Sequence, residues 1–268
     1  MPGADSFSES ALPFAVETFG LTKLYGRTAA VSNLDLRVRR GTFFGFLGPN
    51  GAGKSTTIKM LSGLVLPTSG RAIVAGHDVV AEPLLVKASI GVLPEDASTY
   101  ERLTARELLT FTGRMRALPR AEVERRSKGL LDLMEFAESD RDKLVVDFST
   151  GMKKKIALAT ALVGNPRVLF LDEPFNGIDA VTARSIRKAL QDLTQKGVTI
   201  LFSSHVLELV EKLCTEIAIL NRGVLCAQGS LADIRAALSL SPDASLEDAF
   251  VSVAGAREPG ETDLSWIG

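Results

Sequence analysis

The chain has 268 residues, 46% hydrophobic and 24% charged, with a formal net charge of −1. That balance excludes a disordered polyelectrolyte and gives no global attraction to nucleic acid or anionic lipid. Two cysteines, Cys214 and Cys226, and two histidines, His77 and His205, supply neither a disulfide scaffold nor a metal-ligand spacing, so two reduced thiols of a cytosolic protein are expected.

Residues 1–14 hold Asp5 and Glu9 but no Lys or Arg, which lacks the basic start of a secretory signal. Residues 1–15 are read as a mobile N-terminus. No apolar run approaches the ~20 residues needed to cross a bilayer. Work at a membrane therefore calls for another chain to supply the pore.

Leu34, Leu36 and Val38 alternate with Asp35, Arg37 and Arg39, the pattern of a half-exposed strand. Phe43–Leu47 is an apolar strand that runs into a glycine-rich turn. Ser55–Leu64 then reads as a helix, with Ile58, Leu61 and Val65 at helical spacing. Ala72–Val74 and Ile90–Leu93 are further strands. His77, between Gly76 and Asp78, belongs to a turn and is structural.

Thr104–Leu118 reads as a helix opened by a capping box, Thr104 with Glu107, and striped by Leu108, Phe111, Met115 and Leu118. Ala121–Ala137, richly charged at its start, and Thr150–Val163 are two more helices. Val168–Leu171 and Val198–Phe202 are buried-strand runs with helix-like sequence between them. Ile217–Leu220 and Val224–Ala227 flank Asn221-Arg222-Gly223, a hairpin. Residues 237–268 are acidic, with a short helix at Ser245–Val253 and a mobile tail at Ala256–Gly268. Parallel strands joined by helices imply an α/β sheet covered on both faces.

Gly48-Pro-Asn50-Gly51-Ala-Gly53-Lys54-Ser55, followed by Thr56, matches the phosphate-loop pattern G-x-x-x-x-G-K-[ST]. Glycines let backbone amides approach anionic oxygens, and the helix start adds free amides and the positive end of its dipole. Lys54 provides a point charge for the β- and γ-phosphates, and the Ser55 hydroxyl is a hard ligand for Mg²⁺. By itself this says nucleoside triphosphate. Asp172-Glu173 ends the apolar run Val168–Leu171. Asp172 is placed to hold Mg²⁺ and Glu173 to polarise the attacking water, a contribution of about 10²–10⁴ in rate.

With these residues the chain resembles the ABC transporter ATPase family, from about Val16 to Gly229. Phe148-Ser149-Thr150-Gly151-Met152 stands where the family has its LSGGQ signature before a helix, 23 residues ahead of Asp172 counted from Ser149. Ser149 and Gly151 match; Thr150 and Met152 depart from the common form. His205, after the strand that starts at Val198, matches the family's γ-phosphate-contacting histidine. Tyr25 matches the aromatic residue that stacks on adenine. Asn176-Gly177-Ile178-Asp179 matches the loop that joins two subunits. Glu95 stands where the family usually has a glutamine that senses Mg²⁺ and couples to the membrane partner, so it adds a charge near the metal.

The resemblance implies a P-loop NTPase (RecA-like) core with an antiparallel β subdomain and an inserted α-helical subdomain at about 86–165. The ATPase domain would span 16–236, and 237–268 would be an acidic extension. It implies a Mg²⁺-dependent ATPase that pairs head to tail with a second copy or a related ATPase. The signature of one copy would face ATP held by the other. It further implies a separate multi-spanning permease, a place on the cytoplasmic face of the cell membrane, and export, with no nucleic-acid partner. Ala157–Pro166 and Leu246-Glu247-Asp248-Ala249-Phe250 share the texture of efflux subunits. A soluble ABC ATPase in a non-transport complex, such as metal-cluster assembly, is the rival expectation.

Overall fold

The computed structural model describes residues 13–96 and 100–255. Residues 1–12, most of the expected mobile N-terminus, and the expected tail Ala256–Gly268 lie outside the described residues. From Phe14 the chain forms β1 (Phe14–Tyr25), β2 (Thr28–Leu34), β3 (Arg37–Arg39) and β4 (Phe43–Leu47), then α1 (Lys54–Leu61). β5 (Ser69–Val74), β6 (His77–Asp78) and α2 (Pro83–Ser89) lead to β7 (Ile90–Leu93). α3 (Ala105–Met115), α4 (Arg120–Leu133) and α5 (Thr150–Leu162) follow, then β8 (Val168–Asp172), α6 (Ala180–Gln195), β9 (Thr199–Ser204) and α7 (Leu207–Leu213). β10 (Glu216–Asn221), β11 (Val224–Gly229), α8 (Leu231–Ala237) and α9 (Leu246–Ala254) complete the order.

The apolar runs stack into one six-stranded sheet, ordered β11-β10-β4-β9-β8-β7. β10, β4, β9, β8 and β7 are parallel, and β11 pairs antiparallel with β10. β4, β8 and β9 are buried at every residue, as a sheet packed on both faces requires. The two-residue pleat sorts their side chains. Phe44, Phe46, Phe170 and Leu201 enter the cluster shared with β1, β2, β5 and α1. Phe43, Leu47, Leu169, Leu171 and Phe202 enter the cluster shared with α3, α5, α6, α7 and α9.

The second sheet is largely antiparallel, ordered β2-β1-β5-β6 with β3 also on β1. Here the expected single strand through Leu34, Leu36 and Val38 is divided. All three side chains are buried, but β2 ends at Leu34 and β3 starts at Arg37. Side chains supplement the ladder at the gap, where Thr18 N still donates to Leu36 O at 2.9 Å. Thr18 Oγ1 donates to Leu34 O at 2.7 Å and accepts from Leu36 N at 2.8 Å, and Asp35 Oδ1 accepts from Gly20 N at 2.7 Å. Phe14 and Ala15, assigned above to the mobile terminus, already lie in β1. His77 lies in β6, not in a turn, and its Nδ1 is 3.5 Å from Glu82 Oε1.

The helical part begins later than expected, because β7 belongs to the core sheet. It consists of α3, α4 and the start of α5, linked by 3-10 turns at Glu138–Asp140 and Val145–Asp147. The Thr104–Glu107 capping box forms in both directions. Leu108 and Leu109 are buried, but Phe111 and Met115, expected on the apolar stripe, are exposed. Asn221 is followed by Arg222 and Gly223, both at positive φ, which the twist of a tight hairpin favours.

The region after 237 is not appended to the domain, as far as it is described. Leu246 and Ala249 of α9 are buried in the main core. Asn221 Nδ2 donates to Val253 O at 2.6 Å, fixing α9 to the end of β10.

Candidate functional site

β4 delivers the chain to the middle of the sheet's C-terminal edge, and the glycine-rich turn starts there. A Cβ on Gly48 would lie 2.6 Å from Leu220 O, and one on Gly53, whose φ is +102°, would lie 2.4 Å from Ala30 O. The turn is thus pressed between β2 and the β10–β11 hairpin with no room for side chains at those two positions. Gly53 is the N-cap of α1 and offers no side-chain cap, so the helix start presents its amides outward.

Lys54 curls back over this turn. Its Nζ donates to Gly48 O at 2.6 Å and Pro49 O at 3.3 Å. The side chain is buried, and that burial pulls its pKa down, while the carboxylates of Glu173, Asp172 and Glu95 pull the other way. An ammonium so placed is surrounded by acids that a phosphate group would compete with.

The acids come from β8. Register pairs Asp172 with Ser203 of β9. Ser203 Oγ donates to Asp172 Oδ1 at 2.6 Å and accepts the Glu173 N–H at 3.0 Å. Both acids are buried, Asp172 at 4% and Glu173 at 7% exposure. Glu173 has φ +47°, a left-handed conformation that costs a non-glycine residue about 1–2 kcal/mol. The Ser203 bond helps hold it there. The exposed His205, just past β9, has Nδ1 3.0 Å from Glu173 Oε2. Ser203 is a positioning residue that the motif reading missed; its signal was a pair of serines, Ser203 and Ser204, ending an otherwise apolar strand.

Turn and acids enclose a cleft of about 330 Å³, lined by Ala30, Asn50 through Thr56, Glu95, Asp172 and Glu173. Asn50, Gly51, Gly53, Lys54, Ser55 and Thr56 therefore meet Asp172, Glu173 and Glu95 around one space. Ser55 and Asp172 offer it a hydroxyl and a carboxylate, the hard oxygens that suit Mg²⁺. Among the described residues no group of three His, Cys, Asp or Glu side chains converges to hold a metal. A cation here would share its shell with phosphate oxygens and water, the ordinary situation of Mg²⁺, so these residues fit that ion.

Other expected residues lie apart. Tyr25, at the end of β1, is half exposed with Lys23 Nζ 5.2 Å from its ring centre, and it does not line the cleft. Ser149 is exposed and caps α5, accepting from Met152 N at 3.3 Å; neither it nor Gly151 lines the cleft. Asp179, ending the Asn176–Asp179 loop, caps α6 through Val181 N and Thr182 N, both at 2.9 Å. The bond from Thr182 N chiefly holds its carboxyl below the usual range.

Glu95 is exposed at the cleft's rim, and its carbonyl accepts from the Nζ of buried Lys154 at 3.2 Å. Lys154 also escaped the motif reading, since a lysine between two others reads as a solvated run.

The family profile described as "ABC transporter" matches residues 31–176. The linearmycin resistance ATP-binding protein LnrL of Bacillus subtilis is 38% identical over 214 residues, covering 80% of this chain and 68% of that protein. The daunorubicin/doxorubicin resistance ATP-binding protein DrrA of Streptomyces peucetius is 38% identical over 224 residues, covering 84% and 68%. A solved ATP binding subunit of an ABC transporter superposes with a TM-score of 0.82 at 32% identity, over 89% of this chain and 99% of that one. The chain belongs to the ABC transporter family.

Proposed function

We propose that this ABC transporter family member is the ATP-binding and ATP-hydrolysing subunit of a membrane exporter, driven by head-to-tail pairing. The observation that carries the reading is the convergence of Lys54 and Ser55, from the turn after β4, with Asp172 and Glu173, from the end of β8, on one cleft. The relatives named for drug resistance support export over a role in a soluble complex.

In this reading the amides of Gly51, Gly53, Lys54, Ser55 and Thr56 take the phosphates, and Lys54 leaves its carbonyl partners for the β- and γ-oxygens. Ser55 and Asp172 hold Mg²⁺, with Glu95 beside them; the ion, when bound, neutralises charge on the phosphate oxygens. Glu173 accepts a proton from the attacking water, and His205, 3.0 Å from it, orients that carboxylate and reaches the γ-phosphate. Tyr25 stacks on the base.

Ser149 and Gly151 are exposed or at a helix start away from their own cleft. They serve the ATP of a second copy, where α5 supplies free amides. ATP then bridges two subunits, and hydrolysis removes the bridge.

No helix among the described residues is long and apolar enough to cross a membrane. A groove of about 730 Å³, lined by Leu64, Val92, Thr112, Met115 and Leu118 among others, suits an apolar helix of a multi-spanning permease. Exposed Leu64 and Met115, at 65% and 73%, favour that use. In this reading the chain works at the cytoplasmic face of the cell membrane, docked on that permease.

Complementation between defective copies tests the arrangement. Lys54→Ala and Ser149→Ala should each be inactive alone, while their mixture regains part of the ATPase activity, because one composite site is intact. No recovery on mixing, with both variants folded, would overturn head-to-tail pairing.

A further inference from the structure

Lys154 sits on α5, five residues past Ser149, and is 5% exposed. An ammonium at that depth is unfavourable unless charges and hydrogen bonds compensate it. Both compensations are present. Its Nζ donates to the Glu95 carbonyl at 3.2 Å. Burial lowers its pKa, and the carboxylates of Glu95, Asp172, Glu173 and Asp96 oppose that. Glu95, Asp172 and Glu173 are also the acids that face Lys54. The same three carboxylates therefore act on two buried ammoniums, Lys54 in the cleft and Lys154 on α5.

The neighbouring Lys153 grips the same stretch of chain further along, with Nζ 2.7 Å from Glu101 Oε1. Successive lysines of one helix thus hold the chain at Glu95 and at Glu101. The two differ in kind. The Lys153 pair is partly exposed and screened by solvent, whereas Lys154 is buried beside the acids of the site.

We infer that Lys154 is a positioning residue for ATP hydrolysis, fixing Glu95 at the rim of the cleft and balancing the charge that Glu95 brings to Asp172 and Glu173. The inference rests on the function proposed above. When Lys54 turns to the phosphates it no longer serves the carboxylates. Lys154, held on α5 by the Glu95 carbonyl, remains. Without it three acids face an incoming polyanion with one lysine between them, and repulsion opposes both binding and the placement of Glu173. Lys154 also joins the helix that starts at Ser149 to the residue at the rim, so the signature of one copy and the acids of its own cleft move as one piece.

The test compares the full-length wild type, Lys154→Met, Lys154→Arg and the double variant Lys154→Met with Glu95→Gln. Affinity for MgATP is read by titration with a fluorescent ATP analogue, turnover by phosphate release, and folding by thermal unfolding. Lys154→Met should weaken nucleotide binding and lower kcat, each by about tenfold. Arginine should restore much of both. The added Glu95→Gln should relieve the methionine defect, because the charge to be balanced is gone.

Lys154→Gln keeps a donor for the Glu95 carbonyl while losing the charge; it should share the defect and be relieved in the same way, and it replaces methionine if that variant does not fold. Wild-type affinity and kcat in the uncharged variants would overturn the inference. So would a defect in a folded variant that Glu95→Gln leaves unchanged. A wild type that neither binds nor hydrolyses ATP would instead refute the proposed function, and this inference with it.

Discussion

Nδ1 of His205 stands 3.0 Å from Oε2 of Glu173, while Ser203 Oγ holds the main-chain N–H of the same glutamate at 3.0 Å. The carboxylate is thus fixed at both its backbone and its head, facing the cleft that contains Lys54.

Glu173→Gln preserves this shape and removes the proposed proton acceptor. ATP should still bind and should hold two copies together in size-exclusion chromatography. Phosphate release should fall by at least about 100-fold. Turnover at the wild-type rate would take the base role away from Glu173.

Ser203→Ala removes one hydroxyl that serves two buried groups. Asp172 loses a charge-assisted donor, and the Glu173 N–H is left without its acceptor. Stability should drop by about 1–3 kcal/mol in urea unfolding. kcat should drop by about tenfold, because the left-handed Glu173 loses a restraint. An unchanged kcat would show that the turn holds Glu173 unaided.

Lys54→Met should separate stability from binding. Burial lowers the Lys54 pKa from its ordinary 10.5. Between the lowered value and 10.5 the unfolded chain binds more protons, so this residue's contribution to stability rises with pH there. Below that window, at neutral pH, both states are protonated and the full penalty of burying the ammonium remains. The methionine variant should therefore unfold at the wild-type temperature or above it at pH 7, yet show no rise in Tm on adding MgATP. A lower Tm in the absence of nucleotide would mean that Lys54 supports the fold.

Truncation after Ala237 should damage the core. It removes Leu246 and Ala249, exposed to 1% and 0%, and uncovers the surface beneath them. Burying one leucine contributes about 1.5–3 kcal/mol. Urea unfolding should show a loss of at least that size. A truncated chain as stable as the whole would return this segment to the status of an appendage.

What the sequence made readable was local. Phe43–Leu47 and Val168–Asp172 are continuous apolar runs, and a run buried on both faces looks the same in one dimension. The turn from Gly48 to Ser55 and the Thr104–Glu107 cap depend on residues a few positions apart. Ser203 and Lys154 were invisible for the opposite reason: their partners, Asp172 and Glu95, lie 31 and 59 positions away. Periodicity also misjudged Phe111 and Met115, since a helix pattern tells which residues share a face but not whether that face is covered. The break at Asp35 escaped because Thr18 and Gly20 come from another strand.

The Asn221–Val253 bond reaches further than the stability of α9. Two residues beyond Asn221, Gly223 donates to Ala52 O at 2.9 Å and accepts from Ser32 N at 2.8 Å, so the hairpin tip braces the glycine-rich turn of the proposed phosphate site. A ligand or protein that pulled on α9 would have a remote handle on nucleotide affinity, and could tune the engine without ever touching its fuel.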